Sequence, residues 1–259
     1  MDLSLIIPAR NEANRIPPVL ASYVALLSRQ PLDFEIVVVV NNSSDDTAGI
    51  VRTQARQLHG IRVIECGDVG GKGGAVRIGV AESVGDLVGF VDADGAVGPE
   101  QFAQLLRSIP RHGGAIASRR LPESEILPQR PVHRALAASV FSCLVRAITS
   151  LPFRDTQCGG KVFHRSALEA IWSDLSETGW CFDVEWLLLL QQRSIEVIEV
   201  PIVWTEQAGS QLRLHRDGFA MLRDLSRIFR RIKSSRHVGT VEPTQTSSSY
   251  TSVEATSSP

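Results

Sequence analysis

The run Glu35-Ile36-Val37-Val38-Val39-Val40 constrains this chain more than any other stretch of it. An unbroken series of β-branched residues leaves no polar face, so it suits a strand covered on both sides, as central strands of parallel sheets are. The surrounding sequence repeats the theme. Leu3-Ser4-Leu5-Ile6-Ile7 reads as a buried strand, broken by Pro8 and Asn11, and a helix is expected over about 12–28. Asp45 or Asp46 caps a second helix that runs to Leu58. Arg62-Val63-Ile64-Glu65 gives a third strand, 73–83 a helix, and Leu87-Val88-Gly89-Phe90-Val91 a fourth strand. Strand and helix alternating at this spacing imply right-handed crossovers. The expected fold class is therefore α/β, a doubly wound and mostly parallel sheet with helices on both faces.

The second half is less regular. Strands are expected at 115–118, 161–163 and 196–203, and helices at 132–150, 166–174, 182–192 and 216–232. Beyond Lys233, Ser, Thr, Pro and Gly dominate. Such a segment buries too little apolar surface to offset its ordering entropy. One domain is expected over 1–233 and a disordered tail over 234–259.

Composition narrows the function classes. A formal net charge of −1 gives no reason to expect nucleic acid as a partner. Cys66, Cys143, Cys158 and Cys181 are scattered without a CxxC pair, which reads as free thiols in a reducing compartment. The opening residues lack the basic and apolar regions of an export signal. The stretch from Ala135 to Val145 is shorter than the ~20 apolar residues that cross a bilayer. A cytoplasmic location is expected.

In a wound sheet, ligands bind beyond the carboxyl ends of the strands. Three segments with chemical content lie there: Pro8-Ala9-Arg10-Asn11-Glu12, Asn41-Asn42-Ser43-Ser44-Asp45-Asp46, and Asp92-Ala93-Asp94-Gly95. Asp92 and Asp94 are hard carboxylates on a turn leaving an apolar strand. They suit Mg2+ or Mn2+, whose remaining positions diphosphate oxygens and water would fill. The competing reading is an ordinary acidic loop. Gly70-Gly71-Lys72-Gly73-Gly74 precedes a helix and reads either as an anion cradle with one lysine or as a flexible turn.

These motifs, in this order, resemble glycosyltransferase family 2 with its GT-A fold. Ile6-Ile7-Pro8-Ala9-Arg10-Asn11-Glu12, the Asn-Asn-Ser-Ser-Asp-Asp-Thr turn, Gly-Lys-Gly-Gly-Ala and Asp-Ala-Asp-Gly carry the likeness. Further on, Arg154-Asp155-Thr156-Gln157-Cys158-Gly159, Trp180-Cys181-Phe182-Asp183-Val184-Glu185 and Val203-Trp204-Thr205-Glu206 resemble the dolichyl-phosphate glucosyltransferase and dolichol-phosphate mannosyltransferase branch.

The resemblance implies an inverting transfer of glucose or mannose from UDP-glucose or GDP-mannose to a polyprenyl phosphate. It places Pro8, Arg10, Glu12, Val40, Asn42, Lys72, Asp92, Ala93 and Asp94 at the donor, with Glu12 bonding to ribose or base. Asp92 and Asp94 hold the metal. Asn41 and Asn42 replace the acids of the family's Val-Asp-Asp segment, which leaves uracil against guanine open. It places Arg119, Arg134, Asp155 and Gln157 at the acceptor, and names Asp94, Arg119 and Asp183 as catalytic. Surface arginines, and a carboxylate at a helix start, are the bland alternatives for Arg119, Arg134 and Asp183. The last helix mixes Met221, Leu222, Leu225, Ile228, Phe229 and Ile232 with Arg216, Arg223, Arg227, Arg230, Arg231 and Lys233. It reads as a peripheral contact on the membrane's cytoplasmic face, or as a helix docked on the domain. A soluble acceptor with the same donor chemistry, and a non-catalytic nucleotide-sugar binder, are the alternatives for the whole chain.

Overall fold

The structure, a computed structural model, describes residues 1–128, 132–207 and 221–232, with the backbone alone for 132–138 and Phe141. The expected tail at 234–259 lies outside the described residues. The first half alternates strictly: β1 (Leu3–Ala9), α1 (Ile16–Leu27), β2 (Phe34–Asn41), α2 (Thr47–Gln57), β3 (Ile61–Cys66), α3 (Lys72–Glu82) and β4 (Leu87–Phe90). All eight residues of β2 are buried. Ile36, Val38 and Val40 pack into the core on the α1 side, and Val37 and Val39 into the core on the α3 side. The two-sided burial inferred from the β-branched run is therefore met.

The first helix starts at Ile16, four residues later than expected. Asn11 adopts a left-handed backbone (φ 55°), which ends β1 in a turn, and prolines occupy the helix's first positions.

The second half continues with α4 (Pro99–Ser108), β5 (Gly114–Ser118), β6 (Glu125–Leu127), α5 (Val132–Thr149), β7 (Lys161–His164), α6 (Arg165–Glu169), a 3-10 turn at Trp172–Asp174, α7 (Phe182–Gln192), β8 (Val197–Pro201), β9 (Val203–Thr205) and α8 (221–232). The main sheet has seven strands in the order β3-β2-β1-β4-β7-β5-β8. Its pairs are parallel except that β7 runs antiparallel between β4 and β5. The crossover direction reverses between β1 and β4, so the switch point lies there, and the 8–12 and 91–95 segments leave the sheet at it.

Three expectations are corrected. The strand expected over 196–203 is two: Pro201 has no N–H to extend the ladder, so β8 stays beside β5 while β9 pairs with β6 in a separate parallel ribbon. The helix expected over 166–174 stops at Glu169. The helix α4 was not anticipated. The apolar face of α8 is docked: Met221, Leu225, Ile228 and Ile232 are buried in the α3-side core. That face is therefore unavailable to a bilayer, which favours the docked reading of the last helix.

Candidate active site

The first two strand-end segments are stitched to each other. Ser44 donates its N–H to Asn11 Oδ1 at 2.8 Å, and Asn11 donates its own to Ser43 Oγ at 3.0 Å. Ala13 and Glu12 donate theirs to Asp45 Oδ2 and Thr47 Oγ1. Asn42, like Asn11, has a positive φ (46°), a conformation Asn tolerates better than most residues. Its side chain, with that of Arg10, is exposed, and Pro8 is half-buried. Val40 differs from expectation: its side chain belongs to the core beneath, so only its backbone can border a ligand.

Glu12 is also otherwise engaged. It is 7% exposed, and Arg15 grips both its oxygens at 2.6 and 2.7 Å. Burial raises its pKa against the opposing charge of Arg15, with Asp94 and Asp92 adding to the rise. A ribose or base would have to displace Arg15 to bond with this carboxylate.

The glycine run is more constrained than a flexible turn. Gly70 and Gly71 take positive φ (82° and 121°), and α3 begins at Lys72. A Cβ on Gly73 would sit 2.6 Å from the Phe182 Cβ, and the Gly74 N–H is spent on the Thr178 carbonyl at 3.0 Å. Gly73 makes room for the 178–182 segment and Gly74 for the Val69 carbonyl, whose oxygen a Cβ would meet at 1.9 Å, and Lys72 is the charged group the loop offers an anion. Asn41 holds the loop in place by donating its Nδ2 to the Gly71 carbonyl at 3.2 Å. An aspartate could not donate there, so the amide at 41 has a structural use that the sequence did not disclose.

Lys72 lies at the centre of the site. Its Nζ is 2.5 Å from Asp92 Oδ1. Burial would lower the lysine's pKa, but the charges of Asp92, Asp183 and Asp94 raise it instead. Asp94 is pushed up by burial and by Asp92, against the Ala96 N–H that donates to its Oδ1 at 3.0 Å. Asp92 and Asp94 thus sit close enough to repel. Two neighbouring, partly desolvated carboxylates with one lysine fit a divalent cation of the Mg2+ or Mn2+ kind. Among the described residues no cluster of three or more metal-ligating side chains forms.

On the other side of the cleft, Asp155 is fully buried and takes three hydrogen bonds from Arg119, through the backbone N–H (3.0 Å), Nε (2.6 Å) and a terminal nitrogen (2.8 Å). The guanidinium also stacks on Trp204, 4.7 Å from the ring centre. Arg119 was expected to grip a phosphate with its fork; the fork is held by Asp155, and its second terminal nitrogen remains. Glu199 fixes the Arg154 and Asp155 N–H groups at 2.8 Å each. Gln157 keeps a buried Nε2 with no hydrogen-bond partner among the described residues. Arg134 falls in α5, and its side chain lies outside the described ones.

Asp183 is 3% exposed and paired with Lys161 at 2.6 Å, whose Nζ also donates to the Cys158 carbonyl at 2.6 Å. Lys161 lies in the strand expected over 161–163; its burial to 1% between β4 and α7 marks it as a site neighbour. Glu185 points away from the cleft and takes the Ser176 and Glu177 N–H groups and Arg231.

A mixed seven-stranded sheet with an acidic pair at its switch point has the architecture of the GT-A fold. The chain belongs to glycosyltransferase family 2: the family model "Glycosyl transferase family 2" matches residues 4–172. Curated relatives include the dolichyl-phosphate beta-glucosyltransferase of Drosophila melanogaster, 33% identical over 88% of this chain and 74% of that protein. The Homo sapiens enzyme of the same name is 34% identical over 81% and 69%, and a Trichomonas vaginalis one 34% identical over 82% and 66%. The chain thus spans roughly two thirds to three quarters of these relatives' length. Among solved structures, glucosyl-3-phosphoglycerate synthase from Mycobacterium tuberculosis superposes with a TM-score of 0.66 at 18% identity, covering 89% of this chain and 78% of that one. Mannosyl-3-phosphoglycerate synthase from Rubrobacter xylanophilus gives 0.62 at 23%, covering 94% and 78%. Both share the fold.

Proposed function

We propose that this glycosyltransferase moves glucose from UDP-glucose to a polyprenyl phosphate of the dolichyl kind, inverting the anomeric centre. The observation that carries the reading is the Lys72–Asp92–Asp94 cluster at the switch point, and the names of the curated relatives support glucose and dolichyl phosphate. A phosphate oxygen of the acceptor attacks the sugar's anomeric carbon from the face opposite the nucleotide, and UDP departs. Lys72 carries a positive charge within reach of the leaving diphosphate. A Mg2+ or Mn2+ ion held by Asp92 and Asp94 would supply further neutralisation of that charge.

The acceptor side fits a phosphate better than a hydroxyl. A hydroxyl acceptor needs an open carboxylate to take its proton. The carboxylate expected nearest the acceptor, Asp183, is buried and engaged by Lys161. A phosphate monoester is already ionised, so positioning and charge screening suffice. The remaining donors of Arg119 and the Gln157 amide are the groups we assign to it. No helix among the described residues is long and apolar enough to cross a membrane.

The test is transfer from UDP-glucose and GDP-mannose to dolichyl phosphate, read by mass spectrometry of the lipid. Glucosylated lipid is expected only with UDP-glucose, and only while the metal is present and Asp94 intact. Transfer from GDP-mannose alone, or unchanged transfer in Asp94→Ala, contradicts the proposal.

A further inference from the structure

The donor chemistry requires the Asp92 carboxylate to keep one orientation, and two contacts set it. Lys72 holds Oδ1. The other contact comes from the acceptor side. A Cβ built on Gly159 would lie 2.2 Å from Asp92 Oδ2, 2.6 Å from its Cγ and 3.1 Å from Oδ1. The carboxylate therefore occupies the space a side chain at 159 would need. Gly159 is not among the residues with positive φ, so its backbone does not demand glycine; only the missing side chain does. The loop is also unable to retreat. Lys161 Nζ binds the Cys158 carbonyl at 2.6 Å on one side, and Ala117 donates its N–H to the Gly160 carbonyl at 2.8 Å on the other. Asp92 is the softer partner, since its side chain remains 26% exposed.

We infer that Gly159 is a positioning residue for Asp92: the tied 158–160 segment, reaching across from the acceptor side, seats the carboxylate that carries the metal. This rests on Asp92 being a metal ligand. A methyl group at 159 pushes the carboxylate toward solvent and off Lys72, while the backbone stays where Cys158 and Gly160 anchor it.

The experiment is a Mn2+ titration in the presence of UDP, read by the electron paramagnetic resonance of free Mn2+, on wild type, Gly159→Ala and Asp92→Ala. Gly67→Ala, where a Cβ would meet nothing within 4 Å, controls for a generic effect of glycine replacement. Gly159→Ala is expected to bind at least tenfold more weakly than wild type, with Gly67→Ala unchanged. Wild-type affinity in Gly159→Ala overturns the inference. Equal affinity in wild type and Asp92→Ala overturns the metal-ligand reading instead. Thermal stability gives a second measurement should Gly159→Ala fold poorly. Any melting-temperature loss it causes should disappear in the Asp92→Ala background, where the colliding group is gone. A loss that persists there places the collision elsewhere and rejects the inference.

Discussion

On the proposed reading Lys72 and a divalent cation compete for one carboxylate, because the ammonium already stands 2.5 Å from Asp92 Oδ1. The donor's diphosphate relieves that competition by giving Lys72 another partner. Metal and nucleotide should therefore bind with positive coupling, and Lys72→Met should uncouple them. The variant is expected to bind Mn2+ alone three- to tenfold more tightly, about 1 kcal/mol, while UDP enhances that binding less than in wild type. Mn2+ titrations with and without UDP measure both quantities; weaker binding of the bare ion in the variant would refute the competition. The Asp155–Arg119 pair yields a prediction in pH. Burial alone would raise the Asp155 carboxyl, but the charge and hydrogen bonds of Arg119 outweigh it and hold the group at about 2, against an ordinary 3.8. A depressed folded-state value contributes stability above the unfolded value and loses it as pH falls from near 4 toward 2. The difference corresponds to on the order of 2 kcal/mol. Asp155→Asn should be less stable than wild type at pH 7, with the gap narrowing by pH 3 in urea unfolding. A gap that stays constant between those pH values argues against the assignment.

Among the elements, α8 is tied to α7 through one buried charge. Glu185 is fully buried on α7 and receives Arg231 from α8 together with the Ser176 and Glu177 N–H groups. Glu185→Ala strands those donors, and a loss of about 3 kcal/mol or more is expected in chemical unfolding. A loss below about 1 kcal/mol would mean that α8 is held by its apolar face and its other polar ties, such as Gln192 Nε2 to the Ile232 carbonyl, rather than by this charge. The sequence shows why this helix was only half legible. The spacing of Met221, Leu225, Ile228 and Ile232 predicts a helix with one apolar stripe, but a core and a bilayer ask for the same stripe. The β2 run was legible because Val37 to Val40 leave no polar face to expose. Its neighbours β1, β3 and β4 follow with it. The helix α4 escaped although Pro99 and Glu100 open it and Arg107 closes it, since Gly98 and Pro99 read more readily as loop. At the site, the strand-end position of Asp92 and Asp94 followed from local pattern. The grip of Arg15 on Glu12, of Lys161 on Asp183 and of Asp155 on Arg119 did not, because which donors a charged group meets depends on side-chain geometry and on segments brought together only by packing.

For the molecule as a whole, the sheet divides the labour. The segments leaving β1, β2 and β4 carry the groups proposed for the donor, while β5, β9 and the 154–160 segment carry Arg119, Trp204, Asp155 and Gln157, those on the proposed acceptor side. The antiparallel strand β7 binds the two parts into one body by pairing with both β4 and β5. Binding of the two substrates should therefore separate under mutation, except where Gly159 crosses over. Gln157 is the cleanest probe. A buried amide N–H without a partner is costly to keep unless a ligand satisfies it, and among the described residues Gln157 Nε2 is in that state. Gln157→Leu removes the donor and keeps much of the bulk. It is expected to leave Mn2+–UDP affinity within about twofold of wild type and to raise the KM for the lipid phosphate at least tenfold, roughly the worth of one hydrogen bond to a charged group. Arg119→Lys, which keeps a charge beside Asp155 but gives up the stacked planar fork, should show the same split. If either substitution weakens Mn2+–UDP binding as much as it weakens transfer, the 154–160 side belongs to the donor as well, and Arg119 and Gln157 would have to be moved from the acceptor's phosphate to the sugar or its diphosphate.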